Sequence, residues 1–343
     1  MSAPGLPTVS VVVPTHNRAH LIGETLRSIL TQTLQDFEVI VVDNGSTDGT
    51  DRVVAALADP RIRYHWQEDS GLPANSRNVG IRMARGRYIA FLDSDDLWLP
   101  RKLALQVEFM EAHPEVAFTC TNAVAFDGNG IHGRLNKVTL AGRRTARHLL
   151  LGNFITTLTV MVRRSCLEVV GLFNEDPALR TVEDFELWLR LAARFPVAYL
   201  PEVTARHRLH EGGLVNVNWV ANLERAIPML KGVVPSLPLS PREAALLVGS
   251  YYRRLARERG RVGDRAGATA AARAAWRVAP GLKNGALVCA DRVAGRLLGS
   301  RVMPWVRSFK YSLDRVVWLA RRRSQGRASW VVFKVGNGGS GGG

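Results

Sequence analysis

Gly86–Pro100 reads GRYIAFLDSDDLWLP. Tyr88–Leu92 is a short apolar run, the composition of a strand buried on both faces. It ends on three carboxylates, Asp93, Asp95 and Asp96, interrupted only by Ser94. Carboxylates crowded at a buried strand end repel one another unless a cation sits among them. Hard oxygen ligands that leave positions open suit Mg2+ or Mn2+ bridged to a phosphate. The competing reading of such a cluster is a turn or a helix cap, because Asp, Asn, Ser and Gly favour both. For Asp96 that means the N-cap of the following helix.

Working outward, Val9–Val13, Phe37–Val42 and Arg61–Trp66 read as further strands, the first stopped by Pro14. Between them, apolar residues recur at helical spacing in Leu21–Leu30, around Val53, Val54 and Leu57, and in Ala74–Ala84, with Gly86 as the stop. Strands alternating with helices predict an α/β fold, a mainly parallel sheet with helices on both faces. In such a sheet ligands bind beyond the carboxyl ends of the strands. There the sequence places PTHNR (Pro14–Arg18), DNGSTDGT (Asp43–Thr50) and DSDD. Three polar clusters on successive strand ends exceed what capping alone requires. No glycine-rich loop ending in Gly-Lys-Ser/Thr occurs, so a P-loop nucleotide site is not supported.

The middle of the chain is more irregular. Val116–Phe126, Leu158–Val162, Val197–Leu200 and Val203–Leu209 read as extended, Asp127–Gly133 as a turn, and Val182–Phe195 as a helix. Pro235, Pro238 and Pro241 mark a boundary. The expected organisation is a first domain over 1–235, a basic helical region over 236–335 and a linker or tag-like tail over 336–343. Helices are expected over 243–259, 264–278, 282–298 and 302–323. Residues 263–280 resemble half of a tetratricopeptide unit, but no second copy follows at its period, so a short helical bundle is the reading. The formal net charge is +16, with 46 basic and 30 acidic residues in 343. Residues 1–235 hold 25 of each sign, so the whole excess lies after them. Three widely spaced cysteines, Cys120, Cys166 and Cys289, argue against a disulfide scaffold and fit a reducing compartment. Neither a signal peptide nor an apolar run long enough to span a bilayer is visible.

PTHNR, VVDNGSTDGT, GLPANSRNVGI, GRYIAFLDSDDLWLP and TVEDFELWLR, in this order, resemble a family 2 glycosyltransferase with the GT-A fold, from about residue 8 to residue 212. The resemblance implies an inverting transferase that uses a nucleotide-diphosphate sugar and a divalent metal, Mn2+ or Mg2+. It places Pro14, Thr15 and His16 in the base and ribose pocket, with Asn17 beside them. A Tyr often stands where His16 is. Asp43 would accept a hydrogen bond from the base or ribose. Asn44 follows where the family often has a second Asp, which leaves the nucleotide open, because an amide donates as well as accepts. Arg77 and Asn78 would face the donor; the alternatives are a helix-surface charge and a packing amide. Asp93-Ser94-Asp95 matches the DxD motif, with Asp95 as metal ligand and Asp93 on the ribose or a metal-bound water.

Glu183-Asp184 opens an apolar helix, where acidic residues are also favoured electrostatically. By resemblance Asp184 is the general base that deprotonates the acceptor hydroxyl. Glu183 would orient the acceptor or the base. In RHRLHEGG (Arg206–Gly213), Arg208 and His210 stand at the family's Arg-x-His positions. His210 would complete the metal shell or touch the diphosphate, with Arg208 as cationic helper and His207 as competitor.

The segment 302–323 combines apolar residues at helical spacing with Arg and Lys. That composition suits a helix lying on an anionic membrane face, and equally a bundle helix with its basic side in water. No recognised nucleic-acid-binding module accompanies the charge. The expectation is a UDP-sugar-dependent transferase acting on a lipid-linked glycan in cell-surface polysaccharide synthesis, cytoplasmic or peripheral at the inner membrane face, with a homodimer allowed. The alternatives are a protein or peptide acceptor held by the C-terminal helices, and a non-catalytic module that binds sugar nucleotides or nucleic acid.

Overall fold

The computed structural model describes residues 5–135, 153–209, 219–237 and 239–280, and the backbone of 331–333. It divides into two compact units, residues 1–239 with 330–343, and residues 240–329.

The first unit is built on one sheet. β1 (Val9–Thr15), β2 (Phe37–Asn44), β3 (Ile62–Gln67) and β4 (Tyr88–Phe91) are mutually parallel, in the order β4-β1-β2-β3. β2 is buried along its whole length and β1 everywhere but Pro14, as their Val-rich sequences require for strands covered on both faces. The register from Val9↔Phe37 to Thr15↔Asp43 delivers Thr15 and Asp43 together to the carboxyl edge. Val11, Val13, Val39 and Val41 pack with Ile22, Leu26 and Ile29 of α1 (Ile22–Leu30) and Val54 of α2 (Thr50–Ala55). The alternating residues face the other way, towards α3 (Pro73–Met83), whose Gly80 meets Val12 so closely that a Cβ would lie 2.4 Å from its Cγ1.

Gly86 does not stop α3, as the sequence reading expected. The helix ends at Met83 and Ala84 is already extended. Gly86 is needed for a close approach instead, because a Cβ there would lie 2.5 Å from the Ser10 amide nitrogen. The Gly86 amide donates to Ser10 Oγ at 2.8 Å, which joins the entry of β4 to β1.

Beyond β4 the sheet becomes mixed. β8 (Val160–Arg163) inserts between β4 and β6 (Phe118–Asp127), antiparallel to both. β9 (Val197–Arg208) runs parallel to β6 as one strand, where two extended pieces were expected. β5 (Leu97–Trp98) and β10 (Val331–Phe333) pair antiparallel with β9, and β7 (Gly130–Arg134) with β6. The fold is a mixed α/β sheet, parallel through its N-terminal half. α4 (Lys102–Ala112), α5 (Arg164–Val170), α6 (Glu183–Arg194) and α7 (Trp219–Val233) complete the helices described in this unit. Trp188 of α6, fully buried, packs with Phe91, Phe118 and Phe173 at centroid distances of 6.2, 5.5 and 5.9 Å, which fastens α6 to the sheet.

In the second unit, α8 (Pro241–Arg261) and α9 (Arg265–Val278) form a helical pair. Ser240 opens α8 with a reciprocal capping box to Glu243, and Asp264 caps α9 by accepting from the Gly267 amide at 2.8 Å. Buried Ala268, Ala271, Ala272 and Ala275 let the α9 backbone approach α8. No helix among the described residues is long and apolar enough to cross a membrane. The helices expected over 282–298 and 302–323, and the 336–343 tail, lie outside the described residues.

Candidate active site

The carboxyl edge of the parallel half carries the polar clusters, stitched together by local hydrogen bonds. Asn17, in the left-handed region at φ 49°, accepts from the Thr47 amide at 2.9 Å and gives its own amide to Ser46 Oγ at 2.8 Å. The Ala19 amide reaches Asp48 at 2.9 Å. The loops after β1 and β2 therefore form one wall. His16, exposed at the end of β1, has its tautomer set by its partners: Nδ1–H donates to the Asn44 carbonyl at 2.7 Å and Nε2 accepts from Asn17 Nδ2 at 3.1 Å. Asp43 is fully buried and accepts from the Ser46 amide at 2.8 Å and from Tyr64 Oη at 2.6 Å. Burial and that carboxylate push the Tyr64 phenol well up. Pro14 closes β1 and Thr15 is buried, its Oγ1 without a hydrogen-bond partner among the described residues.

Two expected donor contacts are corrected. Asn44 does not face the open edge: its Nδ2 donates to Asp69 and its Oδ1 accepts from Gln67 Nε2 and the Ser70 amide at 2.8 and 3.1 Å. It holds the 67–70 loop. Asn78 is equally occupied, donating to the Phe173 carbonyl at 2.8 Å and to Glu175 at 2.7 Å, and accepting from the Phe173 amide at 2.9 Å. Both are buried packing amides, whose polar groups must be paired away from water.

Arg77 is no surface charge. At 6% exposure it bridges Asp93 Oδ1 at 2.8 Å and Glu183 Oε1 at 3.0 Å, with Phe173 under its guanidinium. One cation thus joins the end of β4 to the start of α6. Asp95 lies 3.7 Å from Arg18. Asp96 is no helix cap, because β5 intervenes and α4 begins only at Lys102. Its buried carboxylate accepts from the Arg208 amide at 2.8 Å and pairs with His207 Nδ1 at 3.1 Å. Burial pushes Asp96 up to about 6. Burial would lower His207, but the Asp96 bond and charge win and raise it. Arg208 Nε donates to the Asp95 carbonyl at 2.8 Å and its Nη2 to Glu24 at 2.6 Å, so Arg208 braces the DxD loop. His210 lies outside the described residues.

Asp184 stands in the first turn of α6, accepting from Thr157 Oγ1 at 3.0 Å and from the Phe185 amide at 2.6 Å. Burial first, and then the neighbouring Glu183 charge, push its carboxyl well above the ordinary range, against the pull of Arg77. Glu183 Oε2 is buried without a hydrogen-bond partner among the described residues. Sequence reasoning assigned no role to Thr157, Arg18 or Tyr64. Arg18 sits inside the quoted PTHNR cluster, whereas isolated Thr and Tyr residues carry no local signal.

Among the described residues no three His, Cys, Asp or Glu side chains converge as a preformed cation site. The donor set nevertheless fits a divalent ion. Asp93 has 36% of its side chain and Asp95 18% exposed. Mg2+-type ions are commonly held by one or two carboxylates with substrate phosphates completing the shell.

The profile described as Glycosyl transferase family 2 matches residues 10–170. The putative teichuronic acid biosynthesis glycosyltransferase TuaG of Bacillus subtilis is 36% identical over 220 residues, 63% of this chain and 84% of that protein. The chain belongs to glycosyltransferase family 2. The UDP-Glc:alpha-D-GlcNAc-diphosphoundecaprenol beta-1,3-glucosyltransferase WfgD of Escherichia coli is 33% identical over 184 residues, 53% of this chain and 69% of that protein. The fold matches S. aureus TarS 1–349 in complex with UDP-GlcNAc, with TM-score 0.62 and 21% identity over 82% of this chain and 83% of that one. It also matches the mannosyltransferase PcManGT of Pyrobaculum calidifontis in complex with GDP-Man and Mn2+, with TM-score 0.56 and 21% identity over 92% and 87%. The GT-A-like fold and the glycosyltransferase class expected from the motifs are thereby established.

Proposed function

We propose that the protein transfers a sugar, with inversion, from a nucleotide-diphosphate sugar to a hydroxyl of a lipid-linked glycan, with Asp184 as general base. The observation that carries this reading is the arrangement Asp93–Arg77–Glu183-Asp184, which joins the donor edge of the sheet to a carboxylate whose affinity for protons is raised. A base titrating nearer neutrality combines the right protonation state with proton-transfer driving force. Asp184 takes the acceptor proton as the acceptor oxygen bonds to the anomeric carbon and the bond to the diphosphate breaks. Asp95, with Asp93 beside it, would hold Mn2+ or Mg2+, which supplies positive charge against the leaving diphosphate. The UDP-Glc donor of WfgD supports UDP as nucleotide, and its diphosphoundecaprenol-linked sugar supports a diphospholipid-linked acceptor. In this reading the excess positive charge after residue 235 keeps the enzyme near an anionic inner membrane face.

The test is Asp184→Asn, which keeps shape and removes the base. Transfer from UDP-sugars to a lipid-linked acceptor is expected to fall by at least about 100-fold, the scale of general-base catalysis, while UDP affinity stays. Full transfer by the folded variant would remove Asp184 from the role.

A further inference from the structure

The Asp184 carboxylate is gripped from two places in the fold. Oδ1 accepts from the Phe185 amide of its own helix at 2.6 Å, and Oδ2 from Thr157 Oγ1 at 3.0 Å. Thr157 opens a 3-10 turn, Thr157–Thr159, that leads into β8, and it is buried at 6% exposure. The turn is itself tethered by three hydrogen bonds. Trp98 Nε1 donates to the Leu158 carbonyl at 2.9 Å, Gln106 Nε2 to the Thr159 carbonyl at 3.0 Å, and Thr159 Oγ1 to the Thr156 carbonyl at 2.7 Å. β5 and α4 thus hold in place a hydroxyl that meets a carboxylate on α6.

An ionised carboxylate only accepts, so the hydroxyl donates to it. Two donors at fixed places, one on each oxygen, set the plane of the carboxylate, and each oxygen keeps a second lone pair for an incoming hydroxyl. We propose that Thr157 is a positioning residue for the transfer, fixing the plane in which the Asp184 carboxylate meets the acceptor. This rests on Asp184 being the general base and adds the group that aims it. Donation to the charged form also favours that form. The charged groups facing Asp184 are Glu183 on α6 and Arg77 on α3, and the turn adds no charge of its own. The hydroxyl therefore works with Arg77, against burial and Glu183.

The test is transfer kinetics across pH on the full chain with Mn2+, a UDP-sugar and a lipid-linked acceptor, in Thr157→Val and Thr157→Ser. Val keeps the branched shape and loses the donor, whereas Ser keeps the donor and loses the methyl. Thr157→Val is expected to lower the plateau kcat about tenfold. It also moves the acid limb of the kcat–pH profile up by about one pH unit, the scale of one hydrogen bond to a charged group. UDP affinity stays unchanged. Thr157→Ser stays within about threefold of wild type, with its acid limb in place. A packing role reverses the order, with Ser impaired and Val normal, and overturns the proposal, as does an acid limb unmoved in Thr157→Val. Loss of transfer in Asp184→Asn beside a normal Thr157→Val overturns the positioning role alone. Full transfer by Asp184→Asn removes the base reading and this proposal with it.

Discussion

Arg77 is the residue on which the two halves of the site depend. Burial opposes its charge, yet Asp93 and then Glu183 hold it firmly protonated. Removing one partner from such a buried group leaves an uncompensated charge, at a cost of about 3–5 kcal/mol. Its positive charge also pulls the Asp184 carboxyl down, against burial and Glu183. The sign of the pH dependence follows. The proposed general base works ionised, so with Asp184 in that role turnover falls as pH falls through its raised value. Without Arg77 that value climbs further. In Arg77→Met the acid limb of the kcat–pH profile is expected to move to higher pH, whereas Arg77→Lys keeps the charge and moves it less. An acid limb unchanged in Arg77→Met would show that the guanidinium does not reach the base. Sequence reading placed Arg77 in the site but left a surface charge open. Only the fold buries it, because its partners stand 16 and 106 residues away.

At the scale of elements, the entry to α6 is held under strain. Thr181, two residues before Glu183, has φ 79°, a left-handed backbone unusual for a β-branched residue and worth roughly 1–2 kcal/mol. It is held there from α7: Thr181 Oγ1 donates to Asn222 Oδ1 at 2.6 Å, and Arg225 approaches the same hydroxyl at 3.4 Å. Strain of this kind persists only where the surroundings impose it. Asn222→Ala is expected to let Thr181 relax and displace Asp184, lowering kcat about tenfold, a barrier change of roughly 1.4 kcal/mol, while UDP affinity is kept. Glycine adopts this backbone freely, so in a Thr181→Gly background the same Asn222 change should matter little. Kinetics on the four proteins of this double-mutant cycle decide it, and equal effects of Asn222→Ala in both backgrounds would remove the strain argument. No sequence pattern points to Thr181, because the clamp joins a turn residue to a helix residue 41 positions away.

Across the whole molecule, stability carries a cost unrelated to the reaction. Lys102 of α4 is completely buried, its Nζ donating to Gln106 at 2.6 Å and lying 4.1 Å from the centre of the Trp98 ring, and no carboxylate pairs with it among the described residues. Burial alone drives its amine well below the ordinary lysine range. Between the lowered folded value and the ordinary lysine value, the unfolded chain therefore holds a proton that the folded chain lacks. Stability is lost as pH falls below the ordinary lysine value, by about 1.4 kcal/mol per pH unit until the folded value is reached. Lys102→Met removes that slope. Denaturant midpoints should show its advantage over wild type larger at pH 6 than at pH 9, and an equal difference at both would mean that Lys102 stays charged.

Local signals in the sequence determined the alternation of strands and helices, the carboxylates at the end of β4 and the acidic pair opening α6. Each of these is written within a dozen neighbouring residues, as an apolar run and the polar residues that end it. Only the tertiary structure decided that β8 inserts antiparallel beside β4, since a run of β-branched residues predicts a strand but not its partner or direction. The same holds for Asn44 and Asn78, which look like donor ligands beside their motifs and prove to be pins for loops at 67–70 and 173–175. Asp96, a plausible cap by position, is claimed by His207 from 111 residues away. Burial made these choices: once packing removes a polar group from water it must find a partner, and that partner is whichever group the fold brings within reach.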